Sequence, residues 1–205
     1  MDKADKIYEF VNMKIFLLQK DSSWSRGMLA KLRRGVGKNP SEAPEIWEIT
    51  LSELPDDLLY KGRTEKAFAT EAEWAVHTAL TLYAVQQQGN SHTVSAGKNS
   101  GGLSFGSAIR RLILPDGSNE EAIKRRFDAI ITSSDLSELS HHARGLIQLM
   151  KASLTSITLD YPEFAKDLYF YQFKEDRNRV RLKWGQDFYN TGGKKKEEEV
   201  KNKEE

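Results

Sequence analysis

Residues 135–151 read Asp135-Leu136-Ser137-Glu138-Leu139-Ser140-His141-His142-Ala143-Arg144-Gly145-Leu146-Ile147-Gln148-Leu149-Met150-Lys151. Asp135 followed three residues later by Glu138 makes a capping box, a signature of a helix start. Beyond it, Leu136, Leu139, Ala143, Leu146, Ile147, Met150, Leu154 and Ile157 recur at three- and four-residue steps. That period predicts a helix over 136–157 with one buried stripe. His141, Arg144, Gln148 and Lys151 fall at i, i+3, i+7 and i+10 on another side of it. Such a polar strip can track phosphates or simply face solvent.

The same reading extends outward in both directions. Ile7, Phe10, Val11, Ile15 and Leu18 share one stripe of a first helix, and Ser22 or Ser23 caps a second one carrying Met28, Leu29 and Leu32. Gly35-Val36-Gly37 stops it. Pro44 opens a third helix with Ile46, Trp47 and Leu51, and a long helix is expected over about 65–88, where Phe68, Ala72, Ala75, Val76, Ala79, Leu82 and Tyr83 repeat. Gly89 ends it. Residues 90–103 are a polar loop. Ser104 then caps a short helix with Ile109, Leu112 and Ile113.

Ser118 with Glu121 and Asp160 with Glu163 form two more capping boxes. They start a helix over 118–133, burying Ile123, Phe127, Ile130 and Ile131, and two final helices over 161–174 and 176–189. No segment alternates with period two, so the fold class is all-α, with roughly eight to nine helices in two helical-bundle subdomains. The expected division is an N-terminal helical half at 1–89, the loop at 90–103, a C-terminal half at 104–190 and a disordered charged tail at 191–205.

Composition narrows the function classes. The 205 residues hold 31 Lys and Arg against 30 Asp and Glu, a net charge of +1, and no Cys. Disulfides, thiolate metal sites and a Cys nucleophile are therefore excluded. No apolar run reaches membrane-spanning length, and the first residues do not resemble a signal peptide, so a soluble, cytoplasmic protein is expected. The charge is balanced only globally. Residues 1–50, 81–115 and 141–193 are net basic; 51–80 and 116–140 are net acidic; the tail sums to zero. Local fields over such blocks matter more than the total.

Several constellations could use those fields. Arg33-Arg34 precedes Gly35-Val36-Gly37-Lys38, and guanidiniums beside a glycine turn can grip phosphate. The competing reading is favourable charge at a helix C-terminus. Arg110-Arg111 repeats the pairing. Lys124, Arg125 and Arg126 lie on the polar side of the 118–133 helix, with Arg125 almost opposite its apolar stripe. The run Arg177-Asn178-Arg179-Val180-Arg181-Leu182-Lys183-Trp184 is the densest basic stretch; Val180, Trp184 and Phe188 form its buried stripe. Trp74 lies off its helix's apolar stripe, which suits either a partner surface or a second core layer.

Enzyme signals are poor. Gly97-Lys98-Asn99-Ser100-Gly101-Gly102 fails the P-loop pattern, and neither G-x-S-x-G nor H-E-x-x-H occurs. His141 and His142 are adjacent, hence about 100° apart on a helix, and lack further ligands at metal spacing.

Several stretches together resemble the CasB family, the small subunit of the type I-E CRISPR surveillance complex Cascade. They are Leu32-Arg33-Arg34-Gly35-Val36-Gly37-Lys38, Ser104-Phe105-Gly106 through Arg110-Arg111-Leu112, Arg126-Phe127-Asp128-Ala129, His141-His142-Ala143-Arg144-Gly145-Leu146, Leu159-Asp160-Tyr161, Asp167-Leu168-Tyr169 and Trp184-Gly185-Gln186-Asp187-Phe188-Tyr189. The similarity spans about residues 5–190, without the 89–102 loop. Gln148 departs from it, where the family admits a basic residue.

The resemblance implies two helical subdomains and no catalysis; separately, no cofactor and no metal are expected. It implies a head-to-tail dimer with a second copy, lying beside the backbone and large subunits of Cascade. It also implies R-loop stabilisation, with the guide RNA–target DNA region and the displaced single-stranded DNA as partners. The candidate nucleic-acid-binding residues are then Arg33, Arg34, Arg110, Arg111, Arg126, Arg144, Lys151, Arg177, Arg179, Arg181 and Lys183. Arg33, Arg110, Arg144 and Arg181 stand foremost. Two other readings remain: a protein-interaction scaffold whose arginines meet the acidic segments, and a phosphate-processing enzyme using the 89–102 loop.

Overall fold

The computed structural model describes residues 2–61 and 69–190. The expected charged tail, and Phe68 with the first residues of the helix expected from 65, lie outside the described residues. Nine α-helices occur among the described residues, and no β-strand. In chain order they are α1 (Lys3–Leu18), α2 (Ser23–Arg34), α3 (Trp47–Thr50), α4 (Glu71–Gln87) and α5 (Phe105–Arg110). There follow α6 (Glu120–Ile131), α7 (Leu136–Ala152), α8 (Tyr161–Tyr171) and α9 (Lys174–Tyr189).

α4 organises the rest. Its sequence from Ala72 to Gln86 contains one acidic side chain and neither Lys nor Arg, so it is apolar on nearly every side. A helix apolar all round belongs in the interior. All its residues from Ala75 to Gln86 are buried, with α1, α2, α7 and α8 packed around it. Gln86 is held at both ends of its amide: Nε2 donates to the Ile157 carbonyl at 2.7 Å, and the Tyr161 hydroxyl donates to Oε1 at 2.7 Å. Buried apolar residues from Ile7 to Phe188 join in one cluster. Amphipathic α1, α7 and α8 each present a stripe to it.

Several boundaries differ from the sequence expectation, each for a local reason. α4 begins at Glu71 because Thr70 and Glu73 form a reciprocal capping box there. Asp135 and Asp160 cap α7 and α8 as expected. Ser118 does not cap α6. Its amide and hydroxyl are held by Asp116 Oδ1 at 3.0 and 2.8 Å, an Asx turn, and α6 starts two residues later. α7 ends at Ala152 rather than 157, so Leu154 is fully exposed while Ile157 is buried from the following loop.

The 90–103 loop is stitched to residues 158–160 by backbone bonds. Leu159 N–H donates to Val94 O, Leu103 N–H to Thr158 O and Asp160 N–H to Leu103 O. Gly106 allows α5 to lie against α9; a Cβ there would collide with the Trp184 carbonyl. Among the described residues no helix is long and apolar enough to cross a membrane.

Candidate nucleic-acid interface

α6 and α7 run side by side and leave an open groove of about 890 Å³ between their outer faces. α6 contributes Ala122, Arg125, Arg126 and Ala129 to its lining; α7 contributes His141, His142, Arg144, Gly145 and Gln148. The lining holds no Asp, Glu, Phe, Tyr or Trp. Arg125, Arg126 and Arg144 are all exposed, and none belongs to an ion pair among the described residues. Three guanidiniums thus converge on one concavity with no internal anion to neutralise them.

Small residues make the concavity. Ala122 and Ala129 put little bulk on either side of Arg125 and Arg126, and Gly145 lets Arg126 cross α7. A Cβ at position 145 would come within 3.3 Å of Arg126 Nη1. The two histidine rings sit edge-on, 5.6 Å apart at 76°. His142 Nε2 lies 3.9 Å from Glu138. Among the described residues no group of three or more His, Cys, Asp or Glu could hold a metal ion.

The other basic candidates are placed differently. Arg33 is half-buried, Arg34 is exposed, and both end α2 at the Gly35–Gly37 turn. Burial first, and the adjacent Arg34 second, hold the Arg33 pKa below the ordinary arginine value. Gly37 has φ +77°, which suits glycine. The turn is pinned from inside: His77 Nε2 lies 2.9 Å from the Gly35 carbonyl, and Ser137 Oγ donates to the Gly37 carbonyl at 3.1 Å. Lys151 donates to Gln88 Oε1 at 3.0 Å and closes the far end of the α7 strip. Arg110 lies 3.7 Å from Glu120, while Arg111 is exposed.

The densest basic run turns inward. Arg177 Nε donates to the Tyr171 carbonyl at 2.9 Å, and Arg181 Nη2 donates to the Ser133 carbonyl at 3.0 Å. Both guanidiniums lie over the Tyr171 ring, at 5.3 and 5.5 Å. Arg179 pairs with Asp176 and covers Phe170. Lys183 bridges Asp167 at 2.7 Å and Glu163 at 2.8 Å, and Trp184 Nε1 donates to Asp167 Oδ2 at 2.7 Å. Burial pushes the Asp167 carboxyl up, and the Lys183 ammonium only partly opposes it. So the candidates divide. Arg126 and Arg144 meet in the groove, Arg33 and Arg34 share the turn, and Arg177, Arg181 and Lys183 are occupied by the protein.

Arg125 joins Arg126 and Arg144 although its position opposite the apolar stripe reads as a solvated face. The usable signal was the small residues at 122, 129 and 145. Trp74 packs against the core edge-on to His77, which is the second-layer placement. In the 90–103 loop, the Lys98 amide donates to Asp160 Oδ2 at 3.0 Å, so the amide a phosphate loop would offer is already taken.

Residues 28–189 match the family CRISPR-associated protein Cse2 (CRISPR_cse2). The chain belongs to the Cse2 family. Cse2, also called CasB, is the small subunit of the CRISPR Cascade complex. The matched region runs from α2 to α9 and so contains the turn and the groove. The chain is similar to CasB from Thermobifida fusca, with 26% identity and a TM-score of 0.71 over 90% of this chain and 98% of that one. It shares its fold with CasB of M. ruber, at 24% identity and TM-score 0.63, covering 91% and 96% of the two chains. CasB from Thermus thermophilus has the same fold, at 19% identity and TM-score 0.60, covering 92% and 99%. The curated proteins gave no match.

Proposed function

We propose that this Cse2-family chain is a non-catalytic Cascade subunit that binds nucleic-acid backbone and thereby stabilises the R-loop. Its partner is the displaced non-target DNA strand, held loosely and without regard to sequence. The observation that carries this reading is the α6–α7 groove, where Arg125, Arg126 and Arg144 converge without an internal counter-ion. Guanidiniums recognise phosphate through fork-shaped pairs of donors. A lining without aromatic rings other than the histidines offers no stacking platform, so backbone charge is what it would read.

The scaffold reading would spend the basic side chains on the acidic segments. Such pairs do form within the chain: Lys6 with Asp57, Lys14 with Glu53, Arg110 with Glu120. They leave the groove arginines unused, which favours an external anion there. In the proposed assembly the chain works in the cytoplasm as a dimer beside the backbone and large subunits of Cascade.

The test uses assembled Cascade carrying Arg126→Ala with Arg144→Ala. Loss of even one charge-assisted contact of ~1.4 kcal/mol should speed R-loop dissociation about tenfold. Unchanged dissociation, with intact complex assembly, would refute the groove as the site.

A further inference from the structure

The turn at 33–38 and the α6–α7 groove are two basic places on the surface, and one hydrogen bond connects them. Ser137, in the first turn of α7, donates to the Gly37 carbonyl at 3.1 Å. On α7, Ser137, His141, Arg144, Gln148 and Lys151 are spaced by four, three, four and three residues. At ~100° per residue they fall within an arc of about 80°, so they form one row. That row begins at the glycine turn, lines the groove at His141, Arg144 and Gln148, and ends where Lys151 meets Gln88.

The other anchor of the turn is His77, 1% exposed on central α4, which sits 2.9 Å from the Gly35 carbonyl. Two of the turn's carbonyl oxygens are therefore occupied by α4 and α7. Exposed Arg34 and Lys38 remain at the surface, and neither has an ion-pair partner among the described residues.

We propose that Ser137 and His77 are positioning residues that fasten the 33–38 turn to α7, making turn and groove one site for a single nucleic-acid strand. This rests on the groove reading above and adds a length requirement to it. From Ser137 to Lys151 the row spans fourteen residues. At 1.5 Å per residue that is ~21 Å, about six nucleotides at the 3.4 Å spacing of a B-form strand and fewer when the strand is extended. A shorter strand reaches the turn or the groove. A longer one engages both, and the second contact forms at high effective concentration.

The experiment measures anisotropy of labelled oligothymidylates, three to twelve nucleotides long, binding to the full chain at low salt. Affinity should step up by about tenfold or more between about four and eight nucleotides. Ser137→Ala, at an exposed position, should keep the melting temperature and the affinity for short oligomers but lose the step. Ser137→Thr keeps the donor and should restore it. Arg34→Ala and Arg144→Ala should act independently on short oligomers and be coupled on long ones. If Ser137→Ala shows the wild-type length profile, the join is refuted while the groove stands. If Arg144→Ala weakens no oligomer, the groove reading itself fails and the join falls with it.

Discussion

Replacing Arg144 by Ala tests whether the groove arginines meet phosphates, and its size follows from the count of charges. Three guanidiniums line the groove without an internal counter-ion. Each phosphate neutralised on a single strand contributes ~0.7 to the slope of log affinity against log salt. The groove therefore accounts for about 2.1 of that slope, and Arg144→Ala should lower it by ~0.7. Raising salt fourfold, from 50 to 200 mM, weakens binding about 18-fold through three such contacts but only about sevenfold through two.

The assay is a titration of a twelve-nucleotide single strand at five salt concentrations, comparing the parent with Arg125→Ala, Arg126→Ala and Arg144→Ala. Each variant should lose a similar increment of slope, because each guanidinium faces the same concavity. Affinity alone would not decide the matter, since a misfolded variant also binds weakly. A slope unchanged in all three variants, with normal melting, would refute the claim that these arginines displace counter-ions from a strand.

Two further outcomes separate scaffold from surface. Arg181→Ala should leave the salt slope unchanged but lower stability by about 1–3 kcal/mol in denaturant melts, because a charge-assisted hydrogen bond to the Ser133 carbonyl and a cation–π contact with Tyr171 are lost. A normal melt with a reduced slope would place Arg181 on the nucleic acid instead. Burial holds the His77 pKa below its usual 6.5, so the native state favours the neutral ring. A lowered native pKa gives stability that is complete above the unfolded value and is lost as pH falls through the native one. Stability should thus decline below about pH 6.5, and His77→Gln should flatten that decline; parallel pH profiles for the two proteins would rule His77 out as its source.

What could be read before folding differs in kind from what could not. The α7 stretch shows why. Its apolar period and the Asp135 cap specify a helix and its buried side, because those signals act within one or two turns. The helical class, the position of Trp184 in the core and the face carrying Arg144 follow in the same way. Ser118 reads as the cap of α6, but Asp116 two residues upstream accepts from its amide and hydroxyl and draws it into a turn, and the two patterns look alike in one dimension.

Charge is where the two levels part. The sequence by itself determined how many cations the chain has, in which blocks they stand and on which helix faces. It could not decide which cations the protein consumes. Arg177, Arg181 and Lys183 form the densest basic run, yet they meet Tyr171, Ser133, Glu163 and Asp167, up to 48 positions away in sequence. Arg125 looks like an ordinary solvated residue until α7 lies beside it. Whether a guanidinium is free to hold phosphate depends on what packing brings within a few ångströms, and that is fixed only when α6 meets α7 and α8 meets α9.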